Sequence, residues 1–166
     1  MTNGALSVVF CLLHDAATWL QGGTGTMAGT QREATMTDKP VIEKFLHAIE
    51  TANIPGCDAW SADATLDATV PNWRLHVAGA DAIRAEYARW FADPARFDEL
   101  RRYPVEGGSA EVIEYTFSWT ENGVPHAAHH LHVLTVRDDR IVSDMVFCGG
   151  RWPAGLLAEM EAAGAG

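Results

Sequence analysis

The stretch EVIEYTFSWT (Glu111–Thr120) alternates without a break. Ile113, Tyr115, Phe117 and Trp119 fall on one side, Glu114, Thr116 and Ser118 on the other, the period of a half-buried strand. Asn122-Gly123 follows, a pair that tolerates the two left-handed positions of a tight hairpin loop. A return strand over Val124–Val136 is therefore predicted, and it carries HAAHHLH at 126–132, four of the chain's seven histidines. A two-residue loop at Asn122-Gly123 sets Trp119 opposite His126, Phe117 opposite Ala128, Tyr115 opposite His130 and Ile113 opposite His132. Cross-strand partners share a face. Three histidines thus join the aromatic face, while His129 points the other way beside Thr116. The chain must build a sheet with one aromatic, histidine-rich face, and something has to cover that face.

A second hairpin is predicted at RDDR (Arg137–Arg140), leading into IVSDMVFC (Ile141–Cys148). Two loops are open to it. A three-residue loop over Arg137–Asp139 sets Asp144 opposite His132 and Val146 opposite His130. A two-residue loop at Asp138-Asp139 shifts the register by one and turns Asp144 to the other face. The three-residue form is preferred, with Asp139 in the left-handed conformation that Asp tolerates. It gathers Tyr115, His130, His132 and Asp144 on one apolar wall.

Upstream, Asp38 and Pro40 suit the cap and first turn of a helix. Its apolar stripe is Val41, Phe45, Ala48 and Ile49. Pro55-Gly56 breaks it, and a short second helix is predicted around Cys57–Ala62. Strands follow over Ala64–Val70 and Arg74–Val77, joined by a turn at Pro71-Asn72. DAIRAEYARWFA (Asp81–Ala92) is an amphipathic helix with Ile83, Tyr87, Trp90 and Phe91 inward. Phe97–Glu106 is a further strand, Gly149-Gly150 and Pro153 end the sheet, and a short helix closes the chain. One domain over 38–166 is expected. Residues 1–37 include QGGTGTMAGTQREATMTD, rich in Gly and Thr, and read as a disordered extension or an over-long start, with Met27 and Met36 inside them.

A net charge of −10 disfavours nucleic acid, whose phosphates call for Lys and Arg, and disfavours anionic membranes. No apolar run is long enough to span a bilayer. ALSVVFCLL (Ala5–Leu13) has no preceding Lys or Arg and no close cleavage site, so it does not read as a signal peptide. Cys11, Cys57 and Cys148 are widely spaced and odd in number, which suits free thiols and a cytoplasmic location.

On the predicted wall, His132 with Asp144 can serve as a general acid/base dyad, the carboxylate fixing the imidazole tautomer. The same pair can equally be a buried polar contact that only satisfies itself. His130 and His132, with Asp144, lack the number and spacing of a metal set, so no metal is expected. Trp73, Ile113, Phe117, Trp119 and Val146 can line a ligand pocket or simply pack a core. His126 reads as a solvated rim residue, His47 as a lid residue, and Cys148 as a buried small hydrophobe. Val112, Leu131, Val133, Met145 and Phe147 make the second face too apolar for water, and a homodimer through it is expected.

The segments W60-SADATLDATVP-N72, G79-ADAIRAEY-Y87 and H130-LHVLTVRDDRIVSDMVF-F147 resemble the nuclear transport factor 2-like superfamily. Its relatives include ketosteroid isomerase, scytalone dehydratase and SnoaL-like polyketide cyclases, and the resemblance covers about Asp38 to Trp152. It implies an α+β fold, in which a strongly curved, mixed but mainly antiparallel sheet forms a cone lidded by three N-terminal helices. The concave face would bind a small hydrophobic molecule. The catalytic residues of ketosteroid isomerase do not carry over: its base would fall near Ala68 and its oxyanion tyrosine near Lys44 or Phe45, leaving only a polar group at His132. The resemblance implies cofactor-free proton-transfer chemistry of an isomerase, dehydratase, cyclase or hydrolase. His132 would be the base, Asp144 its orienting partner, and Tyr115 or His130 a donor to a developing oxyanion. The alternative is a non-catalytic ligand-binding or dimeric interaction module.

Overall fold

The computed structural model describes residues 39–164. The extension expected over 1–37 and the Asp38 cap lie outside them. Helix α1 (Pro40–Glu50) starts with Pro40, whose missing N–H costs nothing in a first turn. It buries Val41, Ile42, Phe45, Leu46, Ala48 and Ile49, the expected stripe widened by two residues. A 3-10 turn (Ile54–Gly56) leads into β1 (Trp60–Val70), paired antiparallel with β2 (Trp73–Ala78). The second helix expected around Cys57–Ala62 is thus corrected: only the turn before it is helical, and strand begins at Trp60. Pro55 permits one tight turn, and Trp60 is pulled into the sheet by its parallel partner Ile141 on the last strand.

Helix α2 (Ala80–Trp90) buries Ile83 and Tyr87, with Phe91 just past its end. Strands β3 (Ala95–Pro104), β4 (Ala110–Glu121), β5 (Val124–Arg137) and β6 (Arg140–Pro153) then form an antiparallel meander, and α3 (Ala154–Ala162) follows. The six strands make one mixed sheet in the order β2-β1-β6-β5-β4-β3. The architecture is the expected α+β one, a curved, mainly antiparallel sheet with helices against it. The α1 and α2 side chains Ile42, Phe45, Ile83 and Tyr87 join Ile113, Tyr115 and Val146 of the inner face in one core. Lys39 and Arg102 both reach the buried Glu111 carboxylate, and Arg102 also reaches Glu43, tying α1 to β3 and β4.

The first hairpin has the expected register. Asn122 and Gly123 take φ values of 51° and 79°, and Tyr115 pairs with His130 and Ile113 with His132. The second hairpin corrects the preferred loop. Asp138 and Asp139 both have positive φ, 51° and 53°, so the loop is the two-residue form and Arg137 pairs with Arg140. One residue later the ladder skips: Val136 pairs with Ile141, yet Thr135 pairs with Ser143. Val142 is the extra residue of a β-bulge. His132 therefore sits opposite Val146, not Asp144, and His130 opposite Cys148. The bulge also undoes the change of face that a two-residue loop alone would cause, so Asp144, opposite Leu134, still points inward. The last strand continues through Gly149-Gly150 to Pro153 instead of ending there, with a second skip between the His130–Cys148 and Ala128–Arg151 pairs.

Candidate functional site

Four side chains on the inner face and Tyr87 of α2 form one hydrogen-bonded chain. Asp144 is wholly buried and accepts from Tyr87 Oη at 2.5 Å. Its other oxygen lies 2.9 Å from His132 Nδ1. A carboxylate only accepts, so Nδ1 carries the proton, and the neutral ring then offers Nε2 as an acceptor. Tyr115 Oη sits 2.9 Å from that Nε2 and donates to it. The phenol oxygen keeps lone pairs for His130 Nδ1, 3.4 Å away. Every group except His130 is fully buried, and His130 nearly so. Burial and the Asp144 charge hold both phenols, Tyr87 and Tyr115, well above their usual pKa, so both stay protonated donors. Burial first, then the neighbouring His132, holds His130 well below the usual imidazole value.

His130 is where this chain meets open space. It lines a cavity of about 340 Å³ together with Trp90, Phe117, Trp119, Ala128 and Cys148. Its Nε2 has no hydrogen-bond partner among the described residues, whereas both ring nitrogens of His132 are engaged. Of the expected pocket residues, Phe117 and Trp119 do line this cavity. Ile113 and Val146 are fully buried in the core and are not part of the lining. Trp73 is corrected outright: it is 70% exposed, at the start of the edge strand β2. His47 is exposed and belongs to a separate groove with Leu46 and Phe97, not to this cavity. Burial raises the Cys148 thiol, which stays protonated and accepts the Gly150 N–H at 3.3 Å.

His126 is the other correction. Expected at a solvated rim, it is buried, stacked on Trp119 with ring centroids 5.5 Å apart. Its Nδ1 donates to Val124 O at 2.9 Å. His129 faces outward as expected, bonded to Thr116 at 3.0 Å and close to Glu114. Sequence reasoning placed Tyr87 in the core but not in the network. The available signal was its hydroxyl, since a buried phenol needs a partner. Among the described residues no group of three His, Cys, Asp or Glu side chains is placed to hold a metal ion.

The model of the SnoaL-like domain family matches residues 42–144, more than half of the chain. The chain belongs to the SnoaL-like domain family. No curated protein sequence matches it. Solved structures similar to this SnoaL-like chain include a Bacillus subtilis protein named provisionally as an isomerase, at 18% identity and TM-score 0.57, covering 76% of this chain and 92% of that one. A Catenulispora acidiphila protein with a ketosteroid isomerase-like fold, solved with trimethylamine, is 19% identical with TM-score 0.51, over 66% and 85% of the two chains. The epoxide hydrolase/cyclase-like enzyme SalBIII, of salinomycin pyran-ring formation, is 14% identical with TM-score 0.56, over 67% and 89%. At these identities the likeness is one of fold. No helix among the described residues is long and apolar enough to cross a membrane.

The lowered His130 pKa has a consequence for stability. The unfolded chain takes up a proton at this imidazole near pH 6.5, whereas the native state resists until well below it. Between those two values the unfolded state binds more protons, so native stability falls as pH falls. The expected slope approaches about 1.4 kcal/mol per pH unit from this one group. Urea midpoints at neutral and mildly acid pH should show it, and His130→Gln should flatten it. An unchanged slope in that variant would show that His130 titrates freely.

Proposed function

We propose that the cavity binds a small apolar molecule and that His130, backed by Tyr115, His132 and Asp144, moves a proton on it without a cofactor. The unbroken chain from the buried carboxylate to the cavity-facing imidazole carries this reading. His130 alone is a poor base, since its surroundings disfavour a charge there. The chain supplies the remedy. As Nε2 takes a proton from the ligand, Nδ1 passes its own to the Tyr115 oxygen, and Tyr115 passes its hydrogen to His132 Nε2. The positive charge then rests on His132 against Asp144, not in the apolar cavity. Tyr87 holds the second carboxylate oxygen and positions Asp144. The long His130–Tyr115 contact has to shorten as ligand closes the cavity. The role first assigned to His132 as the base touching substrate thus passes to His130, with His132 as its relay. Returning the proton to another carbon isomerises the ligand, and returning it to a leaving hydroxyl dehydrates it. The family match, and neighbours described as cyclase-like, support a reading of this class.

β-Tetralone, whose flanked methylene is acidic, tests the proposal in deuterated buffer. Catalysed exchange should appear in the protein and fall by about 10²–10⁴-fold in His130→Gln. Binding without exchange would overturn the enzyme reading in favour of a ligand-binding module. No binding at all would overturn both.

The same reading includes a homodimer through the outer sheet face. Tyr103, Val112, Val133 and Met145 are successive cross-strand partners there, with Leu131 and Phe147 paired alongside. Met145 and Phe147 remain 45% and 48% exposed, unusual for large apolar side chains at the centre of a sheet. Sedimentation at micromolar concentration should give twice the chain mass, and Phe147→Glu should give the monomer. A native monomer would overturn it.

A further inference from the structure

We propose that Arg151 is a carboxylate anchor at the cavity, so that the molecule bound there is a small, flat apolar acid. This rests on reading the same cavity as a ligand site. The sequence works to bring Arg151 to this position. The skip at Gly149-Gly150 puts Arg151, not Gly150, opposite Ala128 on the inner face. Gly150 takes φ +101°, which side chains rarely adopt, and a Cβ there would lie 3.1 Å from Pro71. Half-exposed on that face, the guanidinium is held from three sides. It lies 5.6 Å over the Trp119 ring. One terminal nitrogen donates both to Glu121 and to His126 Nε2, the latter at 3.1 Å. The His126 tautomer suits that bond, because its proton is committed to Val124 O.

This arrangement leaves the Nε–H and the other terminal nitrogen of Arg151 with no partner among the described residues. These two donors lie on opposite edges of the guanidinium, so each can give one charge-assisted N–H···O bond to a ligand carboxylate oxygen. The lining agrees: its charged side chains are Arg89 and Arg151, with no carboxylate among them. The aromatic walls of Trp90, Phe117 and Trp119 would otherwise attract a cation equally well; Arg89 is already paired with Glu86 and Arg151 with Glu121, so it is the free N–H groups of Arg151 that decide against it. The cavity size and its aromatic lining favour a flat apolar body. His126 is then a positioning residue, acting through Arg151.

Naphthoate, its uncharged amide naphthamide, and a naphthyl trimethylammonium cation share one body and differ in charge. Titrated into the full chain by calorimetry, naphthoate should bind at least about tenfold more tightly than naphthamide, the scale of a charged hydrogen bond, and the cation weakest. Arg151→Gln should bring the naphthoate-to-amide ratio close to one. His126→Gln should lower the ratio partway. Glu121→Gln should raise it by removing the competing carboxylate. In the unaltered protein, added salt should lower the ratio. If naphthamide binds as well as naphthoate, or the ratio survives Arg151→Gln, this inference falls while the cavity reading stands. If no probe binds, both fall.

Discussion

Asp144→Ala should destabilise the protein by about 3–5 kcal/mol, the cost of breaking a buried charged contact by removing one partner. The carboxylate is fully buried and serves two donors, Tyr87 Oη and His132 Nδ1. Neither donor has water to turn to, and each orphaned group costs about 1–3 kcal/mol. Against a domain stability of about 5–15 kcal/mol, the loss is a large share. Asp144→Asn should cost less, because one amide oxygen still accepts. Its NH2, however, now faces a donor where an acceptor stood, so one of the two contacts is lost. Urea denaturation gives the test: the midpoint should move and the slope should not. A change below 1 kcal/mol for Asp144→Ala would mean that Asp144 does not face the core.

That Asp144 does face the core was legible in the sequence, though not by the right route. The preferred three-residue loop put Asp144 directly opposite His132. The true loop has two residues, followed by a bulge at Val142. Each error shifts the register by one, so together they shift it by two, and side-chain facing in a strand depends only on parity. Asp144 therefore reaches His132 diagonally instead of across. Nothing local announces the bulge. It falls where β6 meets β1, whose own register slips between Trp60 and Thr65; a parallel contact of such long sequence separation leaves no mark on either segment. The first hairpin was legible throughout because Asn122-Gly123 admits one short loop and the aromatic alternation admits one face. Trp73 misled for another reason: it shares the inward parity of Leu75 and Val77, which pack against the core, but stands at the end of the edge strand, where nothing covers it. The His126 and Arg151 roles needed the Gly149-Gly150 skip, which from sequence reads as a strand end.

Phe45→Ala should cost about 3–5 kcal/mol, the range for truncating a buried phenylalanine. The ring is fully buried on α1 and touches three aromatic neighbours, with centroids 5.4 Å from Trp60, 5.6 Å from Tyr87 and 5.6 Å from His132. It is thus both lid packing and a wall against the Tyr87 and His132 rings, the two donors to Asp144. Phe45→Leu keeps most of the volume and should cost under about 1.5 kcal/mol. The two variants also separate packing from chemistry. If the relay depends on its wall, Phe45→Ala should slow β-tetralone exchange even where the protein is still folded, and Phe45→Leu should slow it little. Combined with Asp144→Ala, the losses should fail to add, by at least about 0.5 kcal/mol, because both changes release His132. The free-energy cycle from denaturant midpoints measures this coupling. Strict additivity would show that α1 covers the sheet without bracing the hydrogen-bonded chain beneath it.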